Sequence, residues 1–221
     1  MTEGASTLPG TPSEESEPDL TRRRMLTAAT AAVGAAGVAV VATPFIESME
    51  PSETARALGA PVTMDISKLQ PRQMMVSSWR RRPIYVLRRT EAELKELPKN
   101  NPILKDPLSK ADQQPANLPG WNPVQRSIVP EYLVVVGICT HLGCMPKLHA
   151  MAGDPLLGAK WPGGYYCPCH GSRYDLSARV MDGSPAPLNL PVPPHYYKDE
   201  RTIVVGELGN GSEKNWEPNT W

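Results

Sequence analysis

All four cysteines of this chain fall between Cys139 and Cys169, inside two short motifs that also carry histidine. The motifs are Cys139-Thr140-His141-Leu142-Gly143-Cys144 and Cys167-Pro168-Cys169-His170-Gly171-Ser172. Each follows a strand-like run, Leu133–Ile138 and Gly164–Tyr166, so two loops at one end of a small sheet can bring both motifs together. Four cysteines are too few to build a disulfide scaffold of 221 residues, and their clustering points to chemistry. Thiolate with imidazole selects zinc, copper or iron–sulfur over magnesium or calcium. Zinc could take any four of the six side chains, and that reading stands open on spacing alone.

The rest of the chain suits a small β domain. Proline at 25 and glycine at 17 residues break the sequence into short segments and argue against a helical bundle. Strands are expected at Ile84–Leu87, Tyr132–Ile138, Tyr165–Cys167, Val192–Tyr197 and Thr202–Val205, with Lys198-Asp199-Glu200 closing a terminal hairpin. Thr90 and Glu93 have capping-box spacing and open one short helix, TEAELKEL. The expected class is mainly β, a small antiparallel sandwich with long loops. Lys+Arg and Asp+Glu both number 23, so no basic field argues for nucleic acid.

A different signal governs the N-terminus. Residues 1–20 are polar and acidic, and Arg22-Arg23-Arg24 precede an uncharged run from Met25 to Ile46. As a helix those residues rise about 33 Å, enough to cross a hydrocarbon core of about 30 Å, with Pro44 expected to end it. The run is long for the apolar part of a cleaved secretory signal. Arginines before it and Glu47, Glu50 and Glu53 after it put the N-terminus in the cytoplasm and the body outside. Thr21-Arg22-Arg23 with Met25-Leu26 is similar to a twin-arginine export signal, which carries cargo already folded around a cofactor. The expected division is a cytoplasmic tail 1–24, a membrane helix 25–46, a linker or hinge 47–62 in which Ala55–Ala60 could form a turn or two of helix, and a globular domain 63–221.

The two boxes, the run VPEYLVVVGICTHLGC and the segment GSPAPLNLPVP at 183–193 closely resemble the Rieske iron–sulfur subunit of quinol–cytochrome c reductases, the cytochrome bc1 complex. The resemblance covers roughly residues 63–206 and implies a β-sandwich Rieske domain with a cluster-binding loop subdomain at about 130–190. It implies one [2Fe-2S] cluster held by Cys139 and Cys167 on one iron and by His141 and His170 on the other. Cys144 and Cys169 would form a disulfide, which needs an oxidising compartment such as the bacterial periplasm. Leu142, Ser172 and Tyr174 fall around the cluster, the two hydroxyls where donors to a bridging sulfide and to the Cys139 sulfur stand. Gly183, Pro185, Ala186 and Pro187 match a proline loop that shields the cluster from water.

The implied activity is transfer of an electron from ubiquinol to a cytochrome c1 haem, with His141 or His170 taking a proton and the head swinging on residues 47–62. The implied partners are cytochrome b, cytochrome c1, ubiquinol and lipid of the bacterial inner membrane, within a dimeric, proton-translocating complex. A b6f-type quinol–plastocyanin subunit is a near alternative. A Rieske ferredoxin or oxygenase domain fits less well, since such domains generally lack the second cysteine pair. A zinc-stabilised tethered binding module remains the bland alternative. Two departures from the family pattern stand out. The 25 residues between His141 and Cys167 exceed those of compact relatives and suggest a surface insertion, with His149 a loop residue. Ser184 separates Gly183 from the first proline of the proline loop. His195 reads as structural.

Overall fold

In the computed structural model of the chain, residues 20–50, 52, 59–212, 216 and 217 are described. Most of the acidic tail and of the Ala55–Ala60 turn expected from the sequence therefore lie outside the described residues. The chain divides into two compact units, residues 1–52 and 53–221.

The first unit is helix α1, Leu20–Ser48, whose described residues are apolar and long enough to cross a membrane. It starts before the expected Met25 and takes the three arginines into its first turns. Pro44 lies inside it instead of ending it. A proline removes one backbone donor, and so close to the C-terminus the helix loses only one rung. Threonines within α1 return their hydroxyls to the preceding turn, as Thr30 Oγ1 does to the Leu26 carbonyl at 2.8 Å.

Among its described residues the second unit holds three antiparallel sheets of three strands. β1 (Val62–Asp65), β9 (Thr202–Val205) and β8 (His195–Asp199) form the first, in that order. β2 (Met74–Trp79), β3 (Arg82–Arg88) and β4 (Tyr132–Val136) form the second, and β5 (Lys147–His149), β6 (Gly164–Tyr166) and β7 (Arg173–Asp175) the third. The short helix α2 spans Glu91–Glu96, and its capping box is present as expected: Thr90 Oγ1 accepts the Glu93 N–H, and the Glu93 carboxylate accepts the Thr90 N–H.

The middle sheet explains the near-continuous apolar runs IYVL and YLVVV. Strand side chains alternate between faces, and here both faces are covered. Ile84, Val86, Val134 and Val136 join Met64, Trp79, Ile203 and Val205 in one core. Tyr85, Leu87, Leu133 and Val135 face the other way and pack with Tyr165, Tyr174, Leu176 and Leu190 beneath the cysteine loops. Gly137 follows the VVV run because the Tyr85 ring occupies the space a Cβ would need.

Several boundaries differ from expectation, among them those of β3, which extends to Arg82–Arg88, and β6, which is Gly164–Tyr166 and not Tyr165–Cys167. β4 stops at Val136; the Gly137 N–H still donates to the Pro83 carbonyl of β3 at 2.8 Å, and Ile138 leads into the first motif. β8 begins at His195 and not Val192, because Pro191, Pro193 and Pro194 lack ladder donors. The expected linker reached Val62, which instead pairs with Val205 as the first residue of β1.

Candidate metal centre

β4 and β6 deliver the two motifs, and both loops fold the same way. In the first, the Cys139 N–H donates to the Cys144 carbonyl at 2.7 Å and the Gly143 N–H to the Cys139 carbonyl at 3.0 Å. In the second, the Cys167 N–H donates to the Ser172 carbonyl at 2.8 Å and the Gly171 N–H to the Cys167 carbonyl at 3.0 Å. Each turn closes on a glycine with positive φ, 84° at Gly143 and 79° at Gly171, which is why both motifs carry glycine four residues after the leading cysteine. The repeat places Cys139 and Cys167 equivalently.

A disulfide between Cys144 and Cys169 joins the loops, as the resemblance implied. Cys139 and Cys167 remain free and buried. The His141 and His170 rings stand edge to face, 4.8 Å between centroids, nearer the surface. The side chains whose ligand atoms gather within 4.8 Å of one another are Cys144, Cys167 and Cys169, but two of these sulfurs are in the disulfide and supply no thiolate. The remaining donor set is two thiols and two imidazoles.

Two features of this set suit a metal cluster. His141 Nδ1 is buried with no hydrogen-bond partner among the described residues, a costly state for a ring nitrogen that nothing occupies. Burial, with the Cys139 thiol beside it, pushes the Cys167 thiol pKa up, while backbone contacts from Cys169 and His170 favour its thiolate. A site that is apolar yet offers amide donors to sulfur suits a thiolate neutralised by metal.

The surrounding hydroxyls are placed by longer-range contacts. Tyr174 Oη lies 3.2 Å from Cys139 Sγ and accepts the Thr140 N–H at 3.3 Å, leaving its own proton available to the sulfur. Burial, then the Cys139 thiol, raises the Tyr174 pKa, so the phenol stays a donor. Ser172 Oγ accepts the Ala186 N–H at 3.1 Å, tying the second loop to the proline loop. Leu142 is 70% exposed at the tip of the first loop.

Several supporting residues carry no motif signal. Thr140 Oγ1 donates to the Leu188 carbonyl at 2.7 Å, and Lys105 Nζ donates to the Ser184 and Ala186 carbonyls at 2.6 and 2.9 Å, so both brace the proline segment. Ser184, the extra residue of that segment, accepts the Arg173 N–H and donates to the Arg173 carbonyl. Tyr85 Oη donates to the Pro146 carbonyl at 3.0 Å, fixing the end of the first loop to β3. Below the second loop, Arg179 and Asp175 form a fully buried pair, with Arg179 reaching on to Leu97, Asn101 and Pro107.

Neither other histidine joins the centre. His149 lies in the insertion but is the last residue of β5 and not a loop residue, and its Nδ1 is 3.0 Å from Asp154 Oδ2. His195 is fully buried, with its Nδ1–H donating to the Pro193 carbonyl at 2.9 Å.

Residues 116–194 match the Rieske [2Fe-2S] domain family, and residues 12–52 match the family described as the "Ubiquitinol-cytochrome C reductase Fe-S subunit TAT signal". The chain is 51% identical over 186 residues to the ubiquinol–cytochrome c reductase iron–sulfur subunit of Allochromatium vinosum, covering 84% of this chain and 88% of that one. It is 40% identical to the subunit of that name from Rhodospirillum rubrum, over 89% of this chain and 95% of the relative. The mitochondrial Rieske subunit of the cytochrome b–c1 complex of Chlorocebus aethiops is 37% identical over 82% of this chain, which spans 58% of that relative. A solved chain of a hyperthermophilic respiratory Complex III aligns with a TM-score of 0.45 at 26% identity, covering 80% of this chain and 98% of its own.

Proposed function

This chain belongs to the family of ubiquinol–cytochrome c reductase iron–sulfur subunits and carries a Rieske [2Fe-2S] domain, and from that premise we propose how it works. Its role is electron transfer in a cytochrome bc1 complex, and its export signal and apolar helix fit a bacterial, membrane-anchored subunit. On our reading Cys139, His141, Cys167 and His170 hold the cluster. The N-terminus is cytoplasmic, the head is periplasmic at the inner membrane, and residues 47–62 form the tether on which the head moves.

The [2Fe-2S] group, when bound, supplies a one-electron carrier whose potential is high for its class, because two neutral imidazoles replace two thiolates. The chain's own residues do the rest. His141 and His170 lie side by side at the outer end of the loops, where a ring nitrogen not bound to metal can meet a quinol hydroxyl and take its proton. Leu142, exposed between them and Gly143, gives that end an apolar contact for a quinone-binding surface in cytochrome b. Tyr174 and Ser172 direct hydroxyls inward, and Ala186, fully buried, closes the proline segment over the site against water. The partners on this reading are ubiquinol, cytochrome b and cytochrome c1, with lipid around α1, in a dimeric complex that translocates protons.

The observation that carries the reading is the pair of matching turns, locked by Cys144–Cys169, that sets two buried thiols beneath two adjacent imidazoles. Purification of the full chain from solubilised membranes tests it. We expect b- and c-type haem proteins to copurify and the preparation to reduce cytochrome c with ubiquinol. A chain that purifies alone and supports no such activity contradicts the reading.

A further inference from the structure

The insertion between the two motifs folds into a defined loop. Asp154 organises it: its carboxylate meets His149 Nδ1 and the Leu156 N–H, and its carbonyl accepts the N–H groups of Leu157 and Gly158. Trp161 Nε1 donates to the His149 carbonyl at 2.9 Å, and the Gly153 N–H donates to the Trp161 carbonyl at 2.8 Å. A loop held this firmly could turn its apolar residues inward. It does so with Trp161 and Leu157, yet it leaves Met151 68% and Leu156 84% exposed.

Beside Leu156, the insertion helps form a cleft of about 320 Å³ on the flank of the cluster-binding subdomain. Trp161, Met181 and Leu157 belong to a small apolar cluster apart from the two main cores, and they line this cleft with Pro102 and Ile103. Ile103 is 45% exposed at its edge. Lys160 and Arg173 also line it, both exposed and neither in an ion pair among the described residues, against the single acid Asp182. The cleft is continuous with the site's support, because Arg173 bonds Ser184 of the proline segment and the Met181 N–H donates to the Arg173 carbonyl at 2.9 Å.

We propose that this cleft docks a segment of another subunit of the same complex, one that carries an apolar side chain next to a carboxylate. The proposal rests on the functional reading above. An apolar lining with two cations and one acid fits that chemistry, and the excess of positive charge disfavours a basic partner segment. A small molecule would fill the cleft and leave Leu156 and Met151 in water, whereas a protein segment covers both cleft and flank. Docking here would hold the partner against the proline segment, close to the cluster but away from the histidines.

A photo-reactive amino acid at position 156 of the full chain, in membranes that contain the complex, tests this. We expect a cross-link to a cytochrome subunit at a segment with Asp or Glu beside an apolar residue. We expect the yield to fall about tenfold with Lys160→Glu and to return with Lys160→Arg. Equal yield in Lys160→Glu overturns the proposal. So does cross-linking only to lipid or to a second copy of this chain, or no cross-link while the haem proteins still copurify. Absence of the haem proteins from the unsubstituted preparation would remove the functional reading as well.

Discussion

Tyr174 Oη stands 3.2 Å from the Cys139 sulfur and accepts the Thr140 N–H, so its own proton is free to be given to that sulfur, with Thr140 Oγ1 at 3.4 Å as the other acceptor in reach. A hydrogen bond to a ligand sulfur stabilises the more negative, reduced state of a cluster. Tyr174→Phe keeps the ring that fills the core and removes only the donor. We expect full cluster content and a lowered midpoint in a redox titration followed by electron paramagnetic resonance. An unchanged midpoint contradicts this role for the hydroxyl.

Cys144–Cys169 closes a loop with a sequence separation of 25 residues. Loop-closure entropy assigns such a link about 3.5 kcal/mol. The double variant Cys144→Ala with Cys169→Ala is expected to lose its visible absorption at a lower temperature than the parent chain, because the two cluster loops then separate independently. Identical thermal bleaching would show that the disulfide does not hold the loops together.

His195 gives the head a specific acid sensitivity. Burial holds its pKa down at about 4, against 6.5 for a free imidazole, with the Pro193 carbonyl opposing the shift. The unfolded chain therefore takes up this proton before the folded one does. The stability due to neutral His195 is complete above pH 6.5, declines as pH falls through the window from 6.5 to about 4, and changes no further below it. One proton contributes a slope of about 1.4 kcal/mol per pH unit. Denaturation of the parent chain and of His195→Leu across that window should give a smaller pH slope in the variant, and equal slopes would contradict the assignment.

The turn between β2 and β3 places Arg80 and Arg81 at φ 51° and 62°. Two-residue hairpins with both central residues left-handed favour Asn-Gly, and a side chain there costs about 1–2 kcal/mol. Arg80 is held by stacking on Trp79 at 4.6 Å and by Glu217, which also pairs with Arg82. Arg81 is exposed. Arg81→Gly is expected to raise the melting temperature of the head by a few degrees, as about 1 kcal/mol does for a domain of this size. No gain on melting would show that the turn is not strained.

That hairpin also shows why part of the fold was hard to read. β3 and β4 are legible because both faces are buried and the runs are plainly apolar. β2 is not, since MMVSSW is mixed and Arg-Arg announces no turn. β1 acquires meaning only opposite β9, and β5 and β7 have three residues each, too short to leave a pattern. The centre divides in the same way. Its cysteines, histidines and glycines are legible because ligand chemistry and a tight turn require those residue types at fixed spacing. Thr140, Lys105 and Tyr85 act on carbonyls 48, 79 and 61 residues away, contacts that only the folded chain brings about. The insertion was recognisable as extra length, but nothing in its residue order revealed that Asp154 and His149 hold it rigid.

The central claim is that one cluster sits between two thiolates and two imidazoles, with Cys144 and Cys169 outside the ligand set. Pulsed electron paramagnetic resonance of the reduced full chain, labelled with nitrogen-15 at histidine, tests that claim most directly. The account predicts two strongly coupled imidazole nitrogens, assigned to His141 and His170, and no change in their number when Cys144 and Cys169 are both replaced. A spectrum with one such nitrogen or none, or the absence of any iron–sulfur signal from freshly isolated material, would contradict it.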